Sequence, residues 1–122
     1  MAKIVVADDD PEIREVVVEC LAGHTVLTAA DGRIALDLIR AQKPDLAILD
    51  IMMPHRDGVT VCRAVRADAT LAGVRIMILT AQEKMAEVEE GFDAGADDYL
   101  TKPFSPKVLA ARVGLLLAKP KP

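Results

Sequence analysis

The sequence predicts an α/β domain built on a doubly wound parallel sheet of five strands accompanied by five helices. Three observations predict it. Five times along the 122 residues a short β-type apolar run gives way to a helical pattern, with no long linker and no internal repeat. Three of the runs, Ile4-Val5-Val6, Leu46-Ala47-Ile48-Leu49 and Ile76-Met77-Ile78-Leu79, are apolar without interruption, as strands covered by helices on both faces must be. The other two, Thr25-Val26-Leu27-Thr28 and Tyr99-Leu100-Thr101, are shorter and mixed, which suits the edges of the sheet. Interior first, third and fourth strands with second and fifth strands at the edges give the order 2-1-3-4-5.

The elements follow in chain order. The first strand spans about 3 to 7, and Asp10-Pro11 then reads as N-cap and first helical residue of a helix near 11 to 22. Ile13, Val17, Cys20 and Leu21 make its apolar face, with Glu12, Glu15 and Glu19 turned away. Gly23 is expected to close that helix in a left-handed turn, with His24 beside the helix's last carbonyls. A strand near 25 to 29, a helix near 32 to 41 and a strand near 45 to 50 come next. A helix near 58 to 67, a strand near 74 to 80 and a helix near 83 to 94 follow them. The last strand is expected near 97 to 101, and Ser105-Pro106 opens a helix near 105 to 118. Lys119-Pro120-Lys121-Pro122 cannot continue it, so residues 1 to 118 form the domain and 119 to 122 a linker or tail.

Composition narrows the function classes. With 52% hydrophobic residues but only Phe92, Tyr99 and Phe104 as aromatics, the core is aliphatic. A net charge of −4 gives the domain no general attraction for phosphate backbones, so direct nucleic-acid binding is disfavoured. No apolar run approaches the roughly 18 residues of a membrane span. Cys20 and Cys62 lie far apart in apolar helical surroundings and read as free thiols of a reducing compartment, which points to the cytoplasm.

The chemistry gathers where the strands end. In an open parallel sheet a ligand sits beyond the C-terminal ends of the strands, at the point where the strand order reverses. The first strand ends in Asp8-Asp9, the third in Asp50, the fourth in Thr80, and the fifth runs into Lys102-Pro103. Three carboxylates converging on one volume raise one another's pKa unless a cation cancels the repulsion. Oxygen donors without His or Cys favour Mg²⁺ over Zn²⁺. Lys102 adds an ammonium and Thr80 a hydroxyl, both suited to a phosphoryl group.

At these positions the chain resembles the response-regulator receiver family of two-component signalling. The resemblance rests on Val6-Ala7-Asp8-Asp9-Asp10-Pro11, Leu49-Asp50-Ile51-Met52-Met53-Pro54, Asp57-Gly58, Leu79-Thr80-Ala81 and the run from Gly95 to Phe104. It covers essentially the whole chain and implies the flavodoxin-like fold of the chemotaxis regulators. Its pattern is nearest to receivers of winged-helix transcription factors. It further implies that Asp50 is the nucleophile that takes a phosphoryl group from a sensor histidine kinase or a histidine phosphotransfer protein. Asp9 and Asp50 would bind Mg²⁺ with the backbone carbonyl of Met52, and Asp8 would act through water. Lys102 would hold the phosphoryl group and precede a cis peptide at Pro103. Thr80 would be the switch hydroxyl, with Tyr99 swinging in behind it, and output would pass through the fourth helix, fifth strand and fifth helix.

The same resemblance implies a phosphorylation-dependent homodimer in which Asp98 pairs across a two-fold axis with Arg112, while Val88 and Val108 replace a second charged pair. By the same resemblance Met52 and Gln82 would flank the path of attacking water, which implies a long-lived phosphoryl group. His55 and Arg56 depart from the family pattern, which has Gly or Asn and then an apolar residue there. Two other functions compete. A phosphatase of the haloacid-dehalogenase kind needs an acid two residues after its nucleophile, where this chain has Met52, so an enzyme is not expected. A pure interaction module would not need all five competent site positions.

Overall fold

The structure, a computed structural model, describes residues 2–81 and 93–119. Its strands are β1 (Lys3–Ala7), β2 (Thr25–Ala29), β3 (Leu46–Asp50), β4 (Arg75–Ala81) and β5 (Asp98–Lys102). They form one sheet in the order β2-β1-β3-β4-β5, with every neighbouring pair parallel. The described helices are α1 (Pro11–Cys20), α2 (Gly32–Gln42), α3 (Gly58–Arg66) and α4 (Pro106–Ala118), with a short 3-10 turn at Ala69–Leu71. Residues 82 to 92, which hold most of the helix expected near 83 to 94 together with Gln82 and Val88, lie outside the described residues.

Alternation along the interior strands divides the core into two layers. Val5, Ala7, Ala47, Leu49, Ile76 and Ile78 face α2 and α3, where they meet Leu36, Ile39, Val61 and Val65. Ile4, Val6, Leu46, Ile48, Met77 and Leu79 face the other way, against Val17 of α1 and Leu109, Val113 and Leu116 of α4. β3 is buried throughout, whereas β2 and β5 are only partly covered, as expected for edges.

Aspartates start three of the helices. The side chains of Asp10, Asp31 and Asp57 accept hydrogen bonds from Glu12 N, Ile34 N and Thr60 N at 2.9, 2.8 and 2.8 Å, satisfying amides that the first turn leaves free. α4 begins with Pro106 at its first position, and Ser105 makes no side-chain cap bond.

The end of α1 corrects the sequence reading. The helix stops at Cys20, and Leu21 caps it by donating its amide to Val17 and Val18 carbonyls. Gly23 does not take the left-handed conformation, which among the described glycines belongs to Gly95 at φ 106°. His24 meets the helix end through its backbone, its amide donating to Leu21 O at 2.9 Å, while its Nδ1 accepts the amide of Ala2 at 2.9 Å and so pins the start of β1.

At the opposite end of the sheet from the carboxylates, Arg66 of α3 ties the loop before β5 to the body. Its guanidinium donates to Val74 O at 2.6 Å, Gly95 O at 2.9 Å and Asp97 Oδ2 at 2.9 Å. The same Asp97 oxygen accepts the Ile76 amide at 2.8 Å.

Candidate functional site

Asp8 leaves the end of β1 fully buried, and each of its polar groups has a partner. Its amide donates to Ala29 O at 3.1 Å and its carbonyl accepts Arg14 Nη1 at 2.7 Å. Oδ1 accepts the Asp10 amide at 2.9 Å and Oδ2 accepts Lys102 Nζ at 2.7 Å. Asp9, the next residue, is exposed. Asp50 closes β3 with 5% of its surface exposed, and its Oδ1 accepts the Met52 amide at 3.4 Å. One oxygen from each of Asp8, Asp9 and Asp50 falls within 4.8 Å of the others.

The sheet register explains the convergence. Ala7 pairs with Leu49, so the residues that follow, Asp8 and Asp50, leave adjacent strands at the same height. Asp50 pairs in turn with Leu79, which places Thr80 just past it on the next strand, and Ala81 pairs with Lys102. The peptide from Lys102 to Pro103 is cis, as the resemblance implied.

Lys102 reaches across β4's end to both buried carboxylates, 2.7 Å from Asp8 Oδ2 and 3.4 Å from Asp50 Oδ1. Burial alone would lower its pKa, but the Asp8 hydrogen bond and the Asp50 charge outweigh that and hold it above the ordinary value. The Asp50 pKa is raised too, which for a carboxyl disfavours the charged form. Burial, and then the Asp8 charge, push it up to about 6 against the pull of Lys102.

Three carboxylates against one ammonium leave negative charge uncompensated in a half-enclosed, all-oxygen setting. That donor set fits a hard divalent cation, which is the test Mg²⁺ must meet here. A glycine keeps the floor of the site tight. A Cβ on Gly58 would stand 2.5 Å from the Asp50 carbonyl oxygen, and the Gly58 amide donates to Ile51 O at 3.2 Å. α3 can therefore start directly beneath Asp50 only with no side chain at its first residue.

The other singled-out residues divide between near and far. Thr80 is fully buried next to the carboxylates, and its hydroxyl donates to Ala81 O at 3.1 Å. Met52 is 56% exposed beside Asp50. Tyr99 is half-buried on β5, packed against the α2 and α3 layer. Asp98 and Arg112 lie away from the cluster and pair with each other, Nη1 to Oδ1 at 2.9 Å. His55 has φ 69°, so the loop after β3 needs a left-handed residue where the family pattern has Gly or Asn. Sequence reasoning passed over Arg14, because an arginine one turn into a helix carries no local mark of the carbonyl it will meet.

A doubly wound parallel sheet with an acidic cluster at its strand-order reversal and a lysine facing it from the edge strand defines a receiver-type signalling domain. The family model described as the response regulator receiver domain matches residues 4–114, and the chain belongs to that family. Response regulator MprA of Mycolicibacterium vanbaalenii is 46% identical over 122 residues, covering 98% of this chain and 52% of the relative. The chain thus spans about half the length of the curated relatives it matches. Among solved structures, the chemotaxis response regulator CheY4 of Vibrio cholerae superposes with a TM-score of 0.89 at 36% identity, covering 95% of this chain and 98% of that one. The BeF3-activated N-terminal receiver domain of Klebsiella pneumoniae RstA gives 0.86 at 35% identity, covering 96% and 99%. No helix among the described residues is long and apolar enough to cross a membrane.

Proposed function

We propose that this receiver domain is a phosphoacceptor switch in which Asp50 takes a phosphoryl group from a phosphohistidine on a sensor histidine kinase or histidine phosphotransfer protein. The observation that carries the reading is the meeting of Asp8, Asp9 and Asp50 within 4.8 Å under the ammonium of Lys102. An Asp50 carboxylate oxygen forms a bond to phosphorus as the phosphorus–nitrogen bond of the donor breaks, and the bonding pair leaves with the imidazole. With a pKa of about 6, Asp50 is largely the ionised nucleophile at neutral pH. Asp9, Asp50 and the Met52 carbonyl, with Asp8 beside them, would hold Mg²⁺. The ion supplies positive charge to the phosphoryl oxygens when bound.

Lys102 donates to a phosphoryl oxygen, for which its position between two carboxylates has already oriented it. Thr80 turns its hydroxyl from the Ala81 carbonyl to another of those oxygens, and Tyr99 repacks behind it. Output then passes through the surface of the helix expected near 83 to 94, β5 and α4. The domain comprises residues 1 to 118, acts in the cytoplasm without touching nucleic acid itself, and is a switch whose turnover of small phosphate esters is not its purpose. That a related receiver is BeF3-activated supports the reading, because beryllium trifluoride joined through beryllium to a carboxylate oxygen has the tetrahedral shape of an acyl phosphate.

Treatment with acetyl phosphate and Mg²⁺ is expected to add about 80 Da, the mass of one phosphoryl group, and EDTA to prevent it. An equal gain in the presence of EDTA overturns the metal requirement, and no gain overturns the phosphoacceptor reading.

A further inference from the structure

The Asp9 carboxylate has no hydrogen-bond partner among the described residues, so its place in the cluster is set by its backbone. Two peptide groups flank it. The one after Asp9 is held because the Asp10 amide donates to Asp8 Oδ1 at 2.9 Å. The one before it is held because the Asp8 carbonyl accepts Arg14 Nη1 at 2.7 Å. A peptide unit is planar, so with both flanking units held the two rotations left at Asp9, about N–Cα and Cα–C, are fixed between them. Arg14 is half-buried on α1, one turn after the capped start at Asp10, and its charge strengthens the bond.

We propose that Arg14 is a positioning residue that aims the Asp9 carboxylate into the cation site, an inference that rests on the carboxylates being that site. The sign of its effect separates this role from mere proximity. A guanidinium that is only a neighbouring positive charge opposes a divalent cation, and removing it tightens binding. A guanidinium that orients a ligand favours the cation, and removing it weakens binding.

The experiment is a calorimetric Mg²⁺ titration of the unphosphorylated protein. Arg14→Met keeps the apolar stem and removes the donors, and is expected to weaken Mg²⁺ by about tenfold, the lower end of the range for residues that orient metal ligands. Arg14→Lys retains a donor and is expected to recover most of the affinity. Melting in EDTA checks that the variants fold, and Arg14→Gln takes the place of Arg14→Met if the latter does not. Unchanged or tighter Mg²⁺ binding in the donor-free variant overturns the proposal. Asp9→Ala, run alongside, must lose affinity. If it does and the Arg14 variants do not, the cation site stands and the positioning role falls. If Asp9→Ala binds as the parent does, the cation reading fails and the role of Arg14 with it.

Discussion

Arg112 on α4 closes on Asp98 of β5 within one chain, its Nη1 2.9 Å from Oδ1 and 3.0 Å from Oδ2. These are the residues that the family resemblance pairs across a two-fold axis. A dimer of that kind must exchange two internal pairs, one in each chain, for two external ones, so the pair itself supplies little net energy and chiefly selects the partner. Because the Arg112 side chain is 45% exposed, the internal pair is worth roughly 0–1 kcal/mol. Arg112→Glu is therefore expected to leave the melting temperature nearly unchanged yet to abolish dimerisation of the acetyl phosphate-treated protein. Adding Asp98→Arg is expected to restore it in part. Sedimentation velocity with and without beryllium fluoride checks this, and a monomer under both conditions rejects the dimer.

Asp50→Asn is expected to stabilise the metal-free protein at neutral pH. The folded-state pKa of about 6 lies above the ordinary 3.8, so the folded chain binds this proton more tightly than the unfolded one. Stability from that proton is fully present below about pH 4 and is lost as pH rises through 6. The penalty at pH 8 is at most about 3 kcal/mol, and an amide does not carry it. Melts in EDTA at pH 4 and pH 8 are expected to show a gain for Asp50→Asn only at the higher pH. Adding Mg²⁺ is expected to stabilise the parent far more than the variant. A gain that is independent of pH contradicts the origin assigned to it.

Much of this site was legible before the fold was known. Uninterrupted runs such as Leu46 to Leu49 mark interior strands because covering both faces leaves no polar position, and a carboxylate directly after such a run can only emerge at the sheet's end. The connections made by long side chains were not legible. Lys102 was placed near the cluster, but its closer bond to Asp8 than to Asp50 depends on three strands arriving in register. Arg14, Arg66 and His24 bond main-chain groups, and a main-chain donor or acceptor leaves no trace in the identity of the residue that provides it. The left-handed residue after β3 was signalled only indirectly, by His55 standing where the pattern has Gly or Asn.

His55→Gly is expected to raise stability by about 1 kcal/mol, since φ 69° burdens a residue with a Cβ and costs glycine nothing. Equilibrium urea unfolding measures it. A loss of stability would mean that the His55 side chain contributes more than its backbone strain removes.

Gly58→Ala is expected to destabilise by about 1–3 kcal/mol and to slow phosphorylation, because the new methyl would meet the Asp50 carbonyl oxygen at 2.5 Å. The oxygen belongs to packed backbone and the methyl is fixed rigidly to the backbone at residue 58, so relief requires moving either Asp50 or the start of α3. Urea unfolding and the rate of labelling by acetyl phosphate report the two effects. Wild-type values for both would show that the loop yields without cost.

The most direct test of Asp50 as phosphoacceptor is reductive trapping. Borohydride reduces an acyl phosphate to the alcohol and leaves free carboxylates untouched, so the labelled residue becomes homoserine. After acetyl phosphate and Mg²⁺, tandem mass spectrometry of the peptide that contains Leu49-Asp50-Ile51 is expected to place homoserine at residue 50, and Asp50→Asn to show none. Homoserine at Asp8 or Asp9, or its absence from every peptide while the parent carries the phosphoryl mass, would contradict the account.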